Sequence, residues 1–255
     1  MDAFLNLTDV RYSYHSPEGE TPALSDISFS VKEGEFVAIV GPSGCGKSTL
    51  LNLICGLLAP EAGEITLKGN PVLRERERIG YMLQKDHLFE WRSIYRNVIL
   101  GLEIRRKCTE ETLARAEAML EQYGLAPFRN ARPSELSGGM RQRAALIRTL
   151  VLEPELLLLD EPFSALDYQT RLTVCDDIAT IIRREQKTAI LVTHDLSEAI
   201  SCADRVIVLG KRPARIRAVV PVHFAMENRT PFQCRSAPEF KEYFNEIWKE
   251  LNACD

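Results

Sequence analysis

The chain has 255 residues, 45% of them hydrophobic, enough for one packed domain carrying a subdomain. A net charge of −4 and four scattered histidines give no support to a nucleic-acid partner or a histidine metal cluster. No apolar run approaches the roughly 18 residues that cross a bilayer, no signal peptide is evident, and seven cysteines without C-x-x-C spacing, Cys254 included, read as a reduced cytosolic protein.

Residues 4–14 alternate through Leu5, Leu7, Val10, Tyr12 and Tyr14 and predict an edge strand. The stretch 15–23 reads as turn, and 24–31 as a second strand. Connections this short exclude helical crossovers, so the early strands are expected to be antiparallel. Glu33-Gly34 then turns the chain into the apolar run Phe36 to Val40.

That run feeds Gly41-Pro42-Ser43-Gly44-Cys45-Gly46-Lys47-Ser48-Thr49, followed by helical Leu50 to Ile54. The pattern is G-x-x-x-x-G-K-[ST] in the strand–loop–helix context it requires. Glycines let successive N–H groups turn inward around a polyphosphate, and the helix start adds its unpaired N–H groups and positive dipole end. Lys47 can reach the β- and γ-phosphates, and the Ser48 hydroxyl can ligate Mg²⁺. The sequence thus predicts a nucleoside triphosphate site. Cys45 lies inside the loop, where the helix N-terminus and Lys47 favour a thiolate; the alternative is that the loop shields its sulfur.

After a break at Pro60 to Gly63, short strands are expected at 64–68 and 79–83. From about 85 to 152 the pattern is helical and reads as an inserted subdomain. Within it, 110–124 ends on a C-capping glycine and a further helix runs from Gly138 to Leu152. A buried strand over 155–162, a helix at 168–185, a strand at 188–194, a helix at 195–202 and a strand at 205–210 complete an α/β alternation. That order implies a parallel sheet with helices on both faces. Beyond 222, residues 236–251 form one amphipathic helix, packed on its own domain or on a partner.

Asp160 and Glu161 end the apolar run Leu156 to Leu159, at the strand end where open α/β sheets bind ligands. Asp160 suits Mg²⁺ coordination through water, and Glu161 suits polarising the water that attacks a γ-phosphate. His194 ends a neighbouring strand, where its ring can approach that phosphate or serve structure alone. Gln84 ends another and is either an oxygen ligand for Mg²⁺ or a surface side chain.

The stretch Leu136 to Arg143, LSGGMRQR, joins these motifs with SALD (Ser164 to Asp167) into a set that resembles the nucleotide-binding subunit of ABC transporters, from about residue 5 to about 220. The resemblance implies an α/β P-loop NTPase fold with a RecA-like core, an N-terminal antiparallel β subdomain and an inserted helical subdomain. It implies an ATPase domain over 1–222 and a tail over 223–255. Tyr14 is implied to stack on adenine, Gln84 to open the loop that senses Mg²⁺ and the membrane partner, and Ser137, Gly138 and Gly139 to face ATP held by a second subunit. Physically, Ser137 lies where an N-cap is expected, with two glycines exposing N–H groups, which reads as an anion site apart from the phosphate loop or as an ordinary glycine-softened cap. A C2 homodimer satisfies both sites twice.

A finer resemblance, through residues 88–103 and 208–222, is to the nitrate/sulfonate/taurine importer group. Glu90 departs from that group, which usually has proline before Trp91, and this bears on the permease contact. The implied setting is an importer: transmembrane permease subunits, an extracytoplasmic substrate-binding protein, and an ATPase homodimer at the cytoplasmic membrane face. A soluble ABC ATPase of DNA or ribosomes fits less well, because only about 90 residues separate Lys47 from Leu136 and the chain holds one cassette. A metabolic kinase leaves LSGGM and His194 without purpose.

Overall fold

The structure, a computed structural model, describes residues 3–17, 19–226 and 229–253; Cys254 lies outside them. Two sheets and nine α-helices are built from these residues. β1 (Leu5–Ser16), β2 (Gly19–Val31), β4 (Ala62–Leu67) and the two-residue β5 (Asn70–Pro71) form an antiparallel sheet in the order β2-β1-β4-β5. The second sheet has the order β10-β9-β3-β8-β7-β6. It comprises β3 (Phe36–Val40), β6 (Ile79–Met82), β7 (Leu156–Asp160), β8 (Thr188–Val192) and β9 (Arg205–Leu209), all parallel, with β10 (Ile216–Pro221) antiparallel at the edge.

The central strands are buried on both faces, which is why they read as unbroken apolar runs. Phe36 and Ala38 of β3 join Leu157 and Leu159 of β7 in one core, whereas Val37 and Ile39 join Leu156 and Leu158 in the other. The first core is closed by the helices α2 to α7 and α9. These are α2 (Ile94–Val98), α3 (Leu100–Ile104), α4 (Glu110–Gln122), α5 (Gly138–Leu150), α6 (Tyr168–Arg184), α7 (Leu196–Cys202) and α9 (Pro238–Asn252), with α8 (Pro231–Arg235) preceding the last. The second core is closed by α1 (Lys47–Ile54) and the antiparallel sheet, so a helix covers this face too and the β subdomain completes it. The antiparallel sheet presents Leu5, Leu7 and Ile27 to that face, each fully buried. Every such aliphatic side chain contributes about 1.5–3 kcal/mol.

Three further expectations change. Residues 15–16 and 19–23 are strand, with His15 paired to Glu20 and Ser16 to Gly19. His15, Ser16 and residues 19–22 are exposed, so no apolar alternation marks them, and only Ala23 turns inward. β10 continues the sheet beyond β9 where none was expected. The helical stretch from 85 opens as an irregular loop and reaches its first helix only at Ile94. Helices α2 to α5 lie between β6 and β7. α9 packs through Ile247 and Tyr243 against the core, while Trp248 stays exposed.

Candidate functional site

β3, β6, β7 and β8 run parallel, so their C-terminal ends share one edge of the sheet, and the chemistry-bearing residues follow those ends. The loop after β3 curls tightly. Gly46 has φ 120° as the N-cap of α1, and a Cβ there would stand 2.9 Å from Leu24 Cδ2 and 3.1 Å from Ala23 O, so only glycine fits. Lys47 is buried and donates to Gly41 O at 2.9 Å and Pro42 O at 3.0 Å, folding its ammonium over its own loop. Ser48 Oγ donates to Asp160 Oδ1 at 3.1 Å, joining the loop to the end of β7.

Asp160 is held from its other side by Tyr81, whose hydroxyl donates to Oδ2 at 3.2 Å and reaches Asn52 Oδ1 at 3.3 Å. Burial raises the Asp160 pKa, while the bonds from Ser48 and Tyr81 oppose that rise. Burial beside this carboxylate in turn pushes the Tyr81 phenol far up, so it remains a donor. Sequence reading missed Tyr81, which lies 79 residues from its partner.

Glu161 has φ 44°, a left-handed conformation that is strained for a residue with a side chain. Its N–H donates to Val192 O at 2.8 Å, and Oε2 lies 3.1 Å from His194 Nδ1. The turn thus brings the Glu161 carboxylate to the loop, with the half-exposed His194 ring behind it, bonded to Glu161 and outside the cavity lining. A cavity of about 240 Å³ there is lined by Tyr14, Gly46, Lys47, Ser48, Glu161 and Arg212, among others. Tyr14 is 41% exposed, its hydroxyl 2.9 Å from Thr49 Oγ1, and the Arg212 guanidinium sits 5.9 Å from its ring centre. Arg212, from the turn before β10, was not marked by any sequence pattern. A larger cleft of about 1,120 Å³ lies at the opposite edge, between the end of α6 and residues 221–226 and 229–230, and carries none of these groups.

Other expected residues stand apart. Cys45 is 1% exposed, and burial raises its thiol pKa despite the nearby Lys47. The thiolate expectation is therefore overturned, because desolvation outweighs the helix start and the lysine. Gln84 Nε2 donates to Ser164 Oγ at 3.3 Å, whose hydroxyl donates to Glu161 O at 3.0 Å; no bond joins Gln84 to Ser48 or Asp160. Ser137 caps α5, accepting from Met140 N at 3.3 Å, and does not line the cavity. Gly139 gives its helix a close approach to α6, since a Cβ there would stand 2.6 Å from Val174 Cγ2. Pro42, Ser43 and Gly44 complete the turn of the loop.

A strand–loop–helix phosphate cradle with two acids at the end of β7, one strand removed from β3, defines a P-loop nucleotide hydrolase. The comparisons take this further. The ABC transporter family model matches residues 24–164. An uncharacterized ABC transporter ATP-binding protein of Bacillus subtilis is 45% identical over 253 residues, 99% of this chain and 97% of its own length. The nitrate import ATP-binding protein of Synechocystis sp. is 38% identical, covering 95% of this chain and 93% of that protein. A taurine import ATP-binding protein of Pelagibacter ubique is 40% identical, covering 83% and 80%. Among solved structures, a dimeric post-hydrolysis ATP-binding cassette bound to ADP and phosphate superposes with TM-score 0.74 at 31% identity, covering 86% of this chain and 99% of its own. The cassette cbiO1 of Clostridium perfringens gives 0.77 at 27%, covering 96% of each. The chain belongs to the ABC transporter family, as an ATP-binding and ATP-hydrolysing cassette. Among the described residues no helix is long and apolar enough to cross a membrane.

Proposed function

We propose that this cassette powers uptake of a small solute, of the nitrate, sulfonate or taurine class or a related compound, as a homodimer on two permease subunits at the cytoplasmic membrane face. An extracytoplasmic protein delivers the solute. The importer reading is supported by the identity to nitrate and taurine import ATP-binding proteins over most of the chain. We assign residues 1–222 to the ATPase domain, with 85–152 as its helical subdomain and 223–255 as its tail.

ATP lies with its phosphates in the loop Gly41 to Thr49 and its base against Tyr14. Lys47 exchanges its two carbonyl partners for phosphate oxygens. Ser48 and Asp160 bring a hydroxyl and a carboxylate oxygen together, hard donors of the kind Mg²⁺ takes, and Gln84 adds an amide oxygen. Mg²⁺, when bound, neutralises charge developing on the phosphates. Glu161 polarises the attacking water and His194 approaches the γ-phosphate. Ser137, Gly138 and Gly139 serve the nucleotide held by the other protomer.

The single observation that carries the chemistry is the strained Glu161, its carboxylate 3.1 Å from the His194 ring beside the phosphate loop. Glu161→Gln keeps size and polarity but removes the charge. ATP turnover by the purified protein should fall on the order of 10²–10⁴-fold while ATP binding persists. Near-normal turnover defeats the assignment. Uptake of labelled nitrate and taurine into vesicles carrying the assembled transporter tests the substrate class.

A further inference from the structure

His194 sits on the bend between β8, which ends at Val192, and α7, which Asp195 caps. No ladder or helix bond fixes its own backbone. One hydroxyl fixes the residues on either side. Thr193 Oγ1 accepts from Asp195 N at 3.0 Å and donates to Glu198 Oε2 at 2.5 Å. The first bond spans His194, joining the residue before it to the residue after it. The second decides which way the Thr193 hydroxyl turns. With its hydrogen committed to Glu198, an oxygen lone pair is left facing Asp195 N.

Glu198 is 3% exposed, and among the described residues no cation lies within ion-pair distance of it. Burial pushes its pKa up to about 7, against the bond from Thr193, with Asp195 adding to the rise and Arg171 and His194 opposing it. The buried Cys175 thiol on α6, in contact with Cys202 Sγ at 3.2 Å, is raised in pKa chiefly by that contact and by burial, with this carboxyl adding to the rise. The helix start does not need the acid, because Asp195 Oδ1 already accepts from Ser197 N and Glu198 N. An apolar side chain of similar volume would be the less costly occupant of such a site. A buried acid here is explained by the hydroxyl it holds.

We infer that Glu198 is a positioning residue for hydrolysis, holding the Thr193 hydroxyl so that the bend presents the His194 ring to Glu161 and the γ-phosphate. The inference rests on the proposed role of His194, and Glu198 itself does not line the nucleotide cavity.

The test measures kcat and ATP affinity of the purified cassette for Glu198→Met, Glu198→Gln, Thr193→Val, the Thr193→Val/Glu198→Met double variant and His194→Ala. Glu198→Met should lose about 10-fold or more in kcat with ATP affinity unchanged, as displacement of a reacting group does. Thr193→Val, which keeps shape and removes the hydroxyl, should match it. The double variant should fall no further, because both changes break one bond. Glu198→Gln still offers an acceptor oxygen and should restore most of the rate. Losses that multiply in the double variant, or a Glu198→Met rate near wild type, overturn the inference. Full activity of His194→Ala defeats the site reading instead, so the two failures are distinct.

Discussion

Arg141 Nε donates to Asp86 Oδ2 at 3.1 Å, tying the helix that starts at the Ser137-Gly138-Gly139 turn to the loop that leaves Gln84. Arg148, two turns further along α5, adds bonds to Asp86 O at 2.6 Å and His87 O at 2.7 Å. The loop goes on to display Phe89 and Trp91, exposed and packed ring to ring at 4.6 Å. These bonds join α5 directly to an exposed aromatic surface beside Glu90.

Asp86→Asn removes the charge but keeps the bond that caps Leu88 N. Both partners are about one-third exposed, so the pair is worth at most about 1 kcal/mol, and Tm should fall by less than about 4 °C. Solute transported per ATP hydrolysed, measured in reconstituted vesicles, should fall several-fold. An unchanged ratio would remove the pair from coupling.

On the proposed site, Lys47 and Tyr14 should contribute unequally to ATP binding. Lys47→Ala deletes a charge-assisted contact worth roughly 1.5–3 kcal/mol, or about 10- to 150-fold in affinity. The bonds to Gly41 O and Pro42 O mean that Lys47 gives up partners to take phosphate, which favours the lower end of that range. Tyr14→Ala loses a stacking surface worth about 0.5–1.5 kcal/mol and should cost about 2- to 10-fold. Nucleotide titration orders the two, and a larger loss at Tyr14 would reverse the emphasis.

Cys45 should resist alkylation. It is buried and its thiol pKa is raised, so little thiolate exists near neutral pH, and that fraction grows only as pH rises. Cys108 is exposed and should react first. Peptide mass spectrometry after N-ethylmaleimide should find Cys108 modified, Cys45 intact and ATPase activity retained. Prompt labelling of Cys45 with loss of activity would restore the reactive-thiol reading.

What the sequence disclosed was chemistry carried by contiguous residues. The phosphate loop, Asp160-Glu161 and the Ser137 cap each announce themselves because spacing along the chain dictates the geometry. The Tyr81 hydroxyl on Asp160, the Arg212 guanidinium over Tyr14 and the Glu198 carboxyl on Thr193 arise from packing of separate elements, or from a burial that no local pattern encodes. Asp195 with Glu198 three residues on does read as a helix start, yet nothing in that spacing says the glutamate is buried. The β1–β2 arms escaped for the opposite reason: solvent on both sides leaves alternation nothing to record. Cys45 was misjudged because electrostatic neighbours are visible in sequence and desolvation is not.

The shared site is tested through Ser137. Its hydroxyl caps α5, so Ser137→Arg loses about 1 kcal/mol of helix stability, a loss the fold should absorb. Ser137 is the better position to alter than Gly138, where an added Cβ would stand 2.8 Å from Leu166 Cδ2 and disturb the monomer itself. Each Ser137→Arg monomer should bind ATP, since the residue does not line its own cavity. Closure of two protomers on phosphate should fail, and hydrolysis with it. Lys47→Ala protein, assayed at ATP below its weakened affinity, should be inactive for a separate reason, having lost its own phosphate contact. In a mixed dimer one site combines both defects, while the other pairs an intact Lys47 with an intact Ser137. ATPase activity should therefore reappear on mixing, rising with the fraction of mixed dimer toward about half that of wild type if each site turns over independently. Full activity of Ser137→Arg alone would end the shared-site arrangement, because an arginine cannot occupy the place where the partner's phosphate must sit.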